Sequence, residues 1–226
     1  MLKNFKIFKK LLDKQELGGG IIAEQLLLFL KEAVEMNKIC AALVFVFVAG
    51  IFNFAGQNIF VNKVCAATNK ELAEKAFDEG NKFLNQKNYQ AAISKFTEAI
   101  RLNSNDALPY YNRGLAYSDL ENYQQAIDDY TQAIKLNPNY FQAYNNRGLA
   151  YRKLKNYQQA ISDYTQAIKL NPNDDYAYNN RGNVYSDLQN YQQAIADYTK
   201  AIKIKPDDDY AYYNRGLAYY NLQNYQ

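Results

Sequence analysis

Residues 141–174 read FQAYNNRGLAYRKLKNYQQAISDYTQAIKLNPND, and residues 107–140 match this stretch at 25 of 34 positions. The same frame continues in a copy from residue 175, a more divergent copy from residue 73 and a truncated copy from residue 209. An internal period of this length is typical of a solenoid, in which each copy is one supersecondary unit stacked on its neighbours. The repeat therefore predicts a solenoid for residues 71–226.

Within each copy the apolar residues follow a helical spacing rather than an alternating one. Tyr110, Gly114 and Tyr117 stand at i, i+4 and i+7, and a second run with this spacing begins after Asn122 and is closed by Pro138. This pattern predicts two helices of about four turns joined by a short turn. We therefore expect an all-α fold built from stacked helix pairs.

Glycine recurs in the middle of the first helix of the copies, although glycine is about 1 kcal/mol worse than alanine in a helix. We expect a close helix approach as the reason, with the small residues Ala126, Ala160 and Ala194 on the partner helix. Acidic residues precede the next helix at 174–175 and 207–209. We interpret them as helix caps rather than as calcium ligands, because no glycine-spaced calcium loop accompanies them.

These residues resemble the tetratricopeptide repeat family, whose two-helix unit carries an aromatic residue, Gly, Tyr, Ala, an aromatic residue, Ala and Pro at these offsets. The third copy has the full set: Tyr144, Gly148, Tyr151, Ala160, Tyr164, Ala167 and Pro172. The first copy departs from it at Ala76, Phe83, Phe96 and Ser104. The resemblance implies a right-handed α-solenoid of antiparallel helix pairs that binds other proteins, usually through its concave face.

Comparison of the copies separates a constant face of the first helix from a variable one. The resemblance implies that the variable face lines the concave groove, where side-chain amides offer both a donor and an acceptor to a peptide backbone. The alternative is that asparagine is simply frequent there. The candidate peptide-binding residues are Asn112, Asn146, Asn180, Asn214, Tyr111, Asn145, Tyr176, Asn179, Tyr210 and Tyr213.

Charged residues narrow the expected ligand. The family's clamp for a carboxyl-terminal carboxylate needs cations where this chain has Phe77, Gln142 and Asn146, so a neutral or mixed-charge peptide is expected. A recurrent arginine row could bind anions or pair with a recurrent aspartate row, and the shared period favours pairing. The two rows are Arg113, Arg147, Arg181 and Arg215, and Asp129, Asp163 and Asp197.

Composition argues against several classes of function. The chain of 226 residues has no histidine, which removes histidine-dependent catalysis and imidazole-ligated metal sites. Residues 71–226 hold 17 Lys and Arg against 18 Asp and Glu, so they lack the basic excess that nucleic-acid binding needs. No phosphate loop, dinucleotide fingerprint or nucleophile elbow is present. We expect no enzyme activity, no cofactor, no metal and no nucleic-acid partner.

Residues 36–67 predict a hydrophobic membrane or signal helix. Between Lys38 and Lys63 lie 24 residues without charge, and a helix of that length reaches about 36 Å, enough to cross a hydrocarbon core of about 30 Å. Either an uncleaved transmembrane anchor or a signal peptide cleaved near Ala66 fits this run; a core helix of a soluble protein is the third alternative. The first two place residues 70–226 on the extracytoplasmic side of a membrane, either anchored or secreted.

Residues 1–35 predict a basic amphipathic helical segment, with Leu2, Phe5 and Phe8 at helical spacing and lysines between them. Met36 offers an alternative start, so presence of this segment in the mature product stays open. Taken together, the sequence predicts a non-catalytic scaffold for a protein or peptide partner. The alternative is an interaction module of a larger enzyme or of a secretion or assembly machine whose working domain lies beyond the fifth copy.

Overall fold

The computed structural model describes the backbone of residues 57–224 and the side chains of residues 69–223. Within that part every regular element is an α-helix, which confirms the predicted all-α class. The helices are α1 Gln57–Asn85, α2 Tyr89–Leu102, α3 Ala107–Asp119, α4 Tyr123–Leu136, α5 Phe141–Lys153, α6 Tyr157–Leu170, α7 Asp175–Asp187, α8 Tyr191–Ile204 and α9 Asp209–Asn224.

The helices stack in chain order. From α2 onward each helix packs against the next one, and the first helices of successive copies, α3, α5, α7 and α9, also contact one another. Each copy contributes one hairpin, α1 with α2 through α7 with α8, and α9 begins the fifth copy. This arrangement is the stacked-hairpin solenoid that the 34-residue period predicts.

Each hairpin turn contains a non-glycine residue with a left-handed backbone. The four residues are Lys87, Glu121, Lys155 and Gln189, with φ between 57° and 60°. In the second copy the Glu121 N–H donates to the Ser118 carbonyl at 3.0 Å, and the Asn122 N–H donates to the Tyr117 carbonyl at 2.9 Å. These two bonds are a Schellman ending of α3, which satisfies carbonyl groups that the helix leaves open. Because none of these four positions holds a glycine, the left-handed backbone could not be predicted from the sequence.

A ring flanked by alanines forms the core of each hairpin. In the second copy Tyr130 lies between Ala126 and Ala133, and all three side chains are fully buried. Phe96, Tyr164 and Tyr198 take the same place in the other copies. Burial favours the neutral phenol and raises the pKa of Tyr198 to about 12. The repeated rings are therefore packing residues, as the sequence predicts for many of the tyrosines.

The mid-helix glycines do mark a close helix approach, and the atoms nearest to them belong to the aromatic rings of the partner helix. A Cβ atom built at Gly114 would lie 2.6 Å from a ring carbon of Tyr130, and one built at Gly182 would lie 2.8 Å from Tyr198. The nearest neighbours are thus ring carbons and not the methyl groups of Ala126 and its equivalents. The aromatic ring of the partner helix therefore fills the space that a Cβ would need at the glycine.

The acidic residues between copies cap only some of the helices. Asp106 accepts from the Leu108 N–H at 3.0 Å, and Asp208 accepts from the Tyr210 N–H at 3.1 Å. Asp174 makes no cap bond to α7, and its carboxylate instead accepts a hydrogen bond from Asn145. The capping interpretation is therefore wrong for Asp174, whose side chain joins the helix of the preceding hairpin.

The predicted amino-terminal features fall outside the part of the chain whose side chains are described. The basic segment 1–35 lies wholly outside it, and of the signal or anchor segment 36–67 only the backbone of residues 57–67 is described, as the start of α1. None of the described helices has the length and apolar character that crossing a membrane requires.

Candidate functional site

The ten candidate residues all lie on the first helices of their copies, from α3 to α9. Tyr176, Tyr210 and Tyr213 are highly exposed, at 69%, 77% and 69% of their surface. The other seven are half-buried: Tyr111, Asn112, Asn145, Asn146, Asn179, Asn180 and Asn214. The candidates therefore form two groups, one held between neighbouring helices and one that faces solvent.

Three of the four asparagines that recur every 34 residues donate a hydrogen bond to the preceding copy. The Asn112 amide donates to Asn81 at 2.7 Å, and the Asn214 amide donates to Asn183 at 3.1 Å. The Asn146 amide donates to the Tyr111 hydroxyl at 2.8 Å. Each of these side chains links two adjacent first helices and is held in a fixed orientation, with its own carbonyl oxygen left over as an acceptor.

Asn180 is the exception in this series. Its side chain makes no hydrogen bond within the described residues, whereas the equivalents in the other copies do. In the other copies the acceptor is either Asn81 or its equivalent Asn183, or it is Tyr111. In α5, the first helix before that of Asn180, these two positions hold Leu149, whose side chain has no polar atom, and Asn145, whose amide donates to Asp174. The amide of Asn180 thus keeps its donors and its acceptor for another molecule.

A second set of contacts joins the fifth residue of the second, third and fourth copies to the last residue of the same copy. In the second copy the rings of Tyr111 and Tyr140 lie 4.7 Å apart. In the third, Asn145 donates to Asp174, and in the fourth Asn179 donates to Asp208 at 3.0 Å. The residue types at the two positions change together: two aromatic rings in the second copy are replaced by an amide and a carboxylate in the third and fourth copies. Comparing them as a pair across the copies would have revealed this contact from the sequence.

Asn145 and Asn179 are therefore part of the joints between hairpins. Their Oδ1 atoms are buried and have no hydrogen-bond partner, and leaving a buried acceptor unpaired costs about 1–3 kcal/mol. Tyr111 is similarly engaged, and its burial raises the pKa of its hydroxyl even though Asn146 donates to it. Of the ten candidates, the four with a free polar or aromatic surface are Asn180, Tyr176, Tyr210 and Tyr213.

The arginine row pairs with the aspartate row, as the shared period predicts. Arg147 donates to both oxygens of Asp163 at 2.7 and 2.8 Å, and its third nitrogen donates to Thr131 of the preceding copy at 2.9 Å. Arg113 and Arg181 make the same contacts. The prediction of pairing is confirmed for these three arginines, whereas Arg215 donates to Thr199 and has no ion pair among the described residues.

The first copy reverses this charge pair. Glu79 stands at the arginine position and Lys95 at the aspartate position, and their charged atoms lie 2.7 Å apart. Their side chains are 34% and 32% exposed, whereas Arg147 and Asp163 are 16% and 7% exposed. The sequence analysis missed this pair, although reading the two positions together in all copies would have shown the exchange of signs.

Comparison with known families agrees with this geometry. Models described as tetratricopeptide repeat match residues 107–140, 141–174 and 163–196, and one described as TPR repeat matches residues 80–121 and 182–223. Small glutamine-rich tetratricopeptide repeat-containing protein beta of Rattus norvegicus is 36% identical over 70 residues, which are 26% of this chain. The match spans only 23% of that relative's length.

Solved structures show the same helix arrangement. The crystal structure of the MamA protein is 28% identical and superposes with a TM-score of 0.64 over 68% of this chain and 84% of that one. The first TPR domain of Spaghetti (RPAP3), bound to the HSP90 peptide SRMEEVD, is 29% identical, with a TM-score of 0.52 over 53% of this chain and 94% of that one. Because the family models together cover residues 80–223 and the helices stack in the same order, the chain belongs to the tetratricopeptide repeat family.

Proposed function

We propose that the repeats form a non-catalytic scaffold that binds an extended peptide segment of a partner protein along the first helices. Tetratricopeptide repeat domains are protein-interaction scaffolds, and the similar Spaghetti domain is bound to a peptide. One observation carries the proposal for this chain: Tyr176, Tyr210 and Tyr213 are largely exposed on α7 and α9, and the side chain of Asn180 on α7 has no hydrogen-bond partner among the described residues.

The chemistry of these four side chains suits a peptide. Tyrosine supplies a large contact area with few rotatable bonds, so little entropy is lost when it is covered. The Asn180 amide can donate to a peptide carbonyl and accept from a peptide N–H without regard to the peptide's sequence. Arg113, Arg147 and Arg181 are already paired with aspartates, and Arg215 is the one member of the row without an ion pair among the described residues, so the surface favours a neutral or mixed-charge segment.

A random peptide library selected on the full chain tests the proposal. Peptides that bind should lose at least tenfold in affinity with the Tyr176→Ala/Tyr213→Ala double variant, measured by fluorescence anisotropy. Asn180→Ala alone should also weaken binding while the melting temperature stays the same, because Asn180 makes no hydrogen bond to the rest of the protein. Asn146→Ala is a less clean probe, since it also breaks the bond to Tyr111.

The matched control is Tyr219→Ala. Tyr219 is also an exposed tyrosine on α9, at 48%, but it stands at the position whose equivalents, Tyr151 and Tyr185, pack against the hairpin cores. Its replacement should leave peptide affinity unchanged. The proposal fails if the library yields no binder, or if the selected peptides respond to Tyr219→Ala as strongly as to the groove variants.

The proposal also includes attachment to, or export across, a membrane, with the repeats on the extracytoplasmic side. Its support is the uncharged run between Lys38 and Lys63, together with the lysines that precede it. Amino-terminal sequencing of the mature protein distinguishes a cleaved signal from an anchor.

A further inference from the structure

The joint between the first and second hairpins contains a cavity of about 250 Å³. Phe77 of α1 and Leu108 and Pro109 of α3 supply its apolar lining, and Glu74 and Asp106 add two carboxylates. Among the described residues Lys70 is the one cation that lines it, so the described lining carries an excess of one negative charge. Glu74 and Phe77 stand at the same positions of the first helix as Tyr176 and Asn179. The cavity therefore lies on the candidate face, by which we mean the face of the first helices that carries the ten candidate residues.

The cavity lies where the other copies have a matched contact. In the second copy Tyr140 covers Tyr111, and in the third and fourth copies an asparagine is bonded to an aspartate. The first copy has Phe77 and Asp106 at these two positions. A phenyl ring offers no donor to a carboxylate, so these two side chains cannot complete the joint by themselves. Asp106 uses Oδ1 to accept from the Leu108 N–H, and its Oδ2 has no hydrogen-bond partner among the described residues.

We propose that this cavity takes a tyrosine side chain of the partner peptide, with a basic residue beside it. The second copy shows the fit, because there the ring of Tyr140 packs on the ring that stands in place of Phe77. The volume is ample, since an engineered cavity of about 150 Å³ accommodates benzene. The phenol can donate to the Asp106 carboxylate, and the neighbouring basic residue compensates the charge of Glu74 and Asp106. This inference rests on the proposed peptide-binding function and adds a specificity to it.

The probe is the tripeptide Ac-Lys-Tyr-Lys-NH2, compared with Ac-Lys-Ala-Lys-NH2, titrated into the full chain by calorimetry. The tyrosine peptide should bind at least tenfold more tightly. Asp106→Tyr should abolish that preference, because it builds into the chain the ring that covers Tyr111 in the second copy. The variant should fold, since Tyr140 precedes α5 at the equivalent position without a side-chain cap bond.

A second variant, Phe77→Asn, closes the site in another way. It removes the ring on which the tyrosine packs and gives Asp106 the amide donor that Asp174 and Asp208 have in the later copies. The tyrosine preference should disappear here too. A tenfold preference that survives in either Asp106→Tyr or Phe77→Asn overturns the proposal, as does equal binding of both peptides by the unaltered chain.

The two proposals can fail separately. Tyr176 and Tyr213 lie at the other end of the candidate face from the cavity. The Tyr176→Ala/Tyr213→Ala variant should therefore leave the tripeptide affinity unchanged. If selected peptides depend on Tyr176 and the tripeptides are not distinguished, the groove function stands and the cavity assignment falls. If the tripeptides are distinguished and selected peptides ignore Tyr176, the cavity assignment stands and the groove function falls.

Discussion

The first copy of the repeat and the three that follow build the same hairpin from different residues. Phe96 is buried where the later copies bury tyrosine, and the pair Glu79 and Lys95 replaces arginine and aspartate with the signs exchanged. In both versions the ring lies against a mid-helix glycine and the charges meet across the hairpin. What the copies share is the geometry of each contact, and residue types at contacting positions change together.

The two versions of the charge pair differ in their environment. Arg147 and Asp163 are mostly buried and joined by two hydrogen bonds, with a third to Thr131. Glu79 and Lys95 are about one-third exposed, and water screens their interaction. Replacing one partner should therefore have very different effects in the two copies.

The largest effect is expected for Arg147→Ala. The carboxylate of Asp163 would remain buried without its partner, and leaving one member of a buried ion pair costs about 3–5 kcal/mol. The free energy of unfolding, measured by urea denaturation, should fall by about this amount. The double variant Arg147→Met/Asp163→Leu should recover most of the loss, since it leaves no unpaired charge.

Lys95→Ala provides the comparison in the first copy. The urea midpoint should change only slightly, because Glu79 stays in contact with solvent. Equal losses for Arg147→Ala and Lys95→Ala would show that burial does not distinguish the two pairs, and the contrast between the copies would be lost.

Some contacts within one copy could be predicted from the sequence, whereas contacts between copies mostly could not. The helix pairs and the pairing of Arg147 with Asp163 follow from a helical period and a repeat frame, both of which are local patterns. The bond from Asn146 to Tyr111 joins residues 35 positions apart, and its acceptor changes from copy to copy. The packing of Tyr130 on Gly114 depends on the distance between two helices, which residue types alone do not fix.

An intermediate effect is expected at the glycines. In Gly114→Ala the new methyl group would lie 2.6 Å from the buried ring of Tyr130, and overpacking of this kind costs about 1–3 kcal/mol. At Gly216 a Cβ would meet nothing within 4 Å. Gly216→Ala should therefore raise the free energy of unfolding by about 0.5–1 kcal/mol through helix propensity. Urea denaturation of both variants measures the difference, and losses of the same size at the two sites would contradict the packing explanation.

A small effect is expected at the left-handed turn residue, whose backbone conformation is the same in the first copy and in the later copies. Lys87 and Lys155 both hold φ near 60° at the end of a first helix, a conformation that costs a side-chain-bearing residue about 1–2 kcal/mol. Glycine relieves that strain but gains entropy in the unfolded chain, so Lys87→Gly and Lys155→Gly should each stabilise the protein by about 0.5–1 kcal/mol. Gln159→Gly, within helix α6, should instead destabilise it by about 0.5–1 kcal/mol. Equal gains at Lys87 and Lys155 in urea denaturation would show that the turn is one invariant element of the hairpin; a loss at either site would mean that the lysine side chain makes a stabilising contact that outweighs its backbone strain.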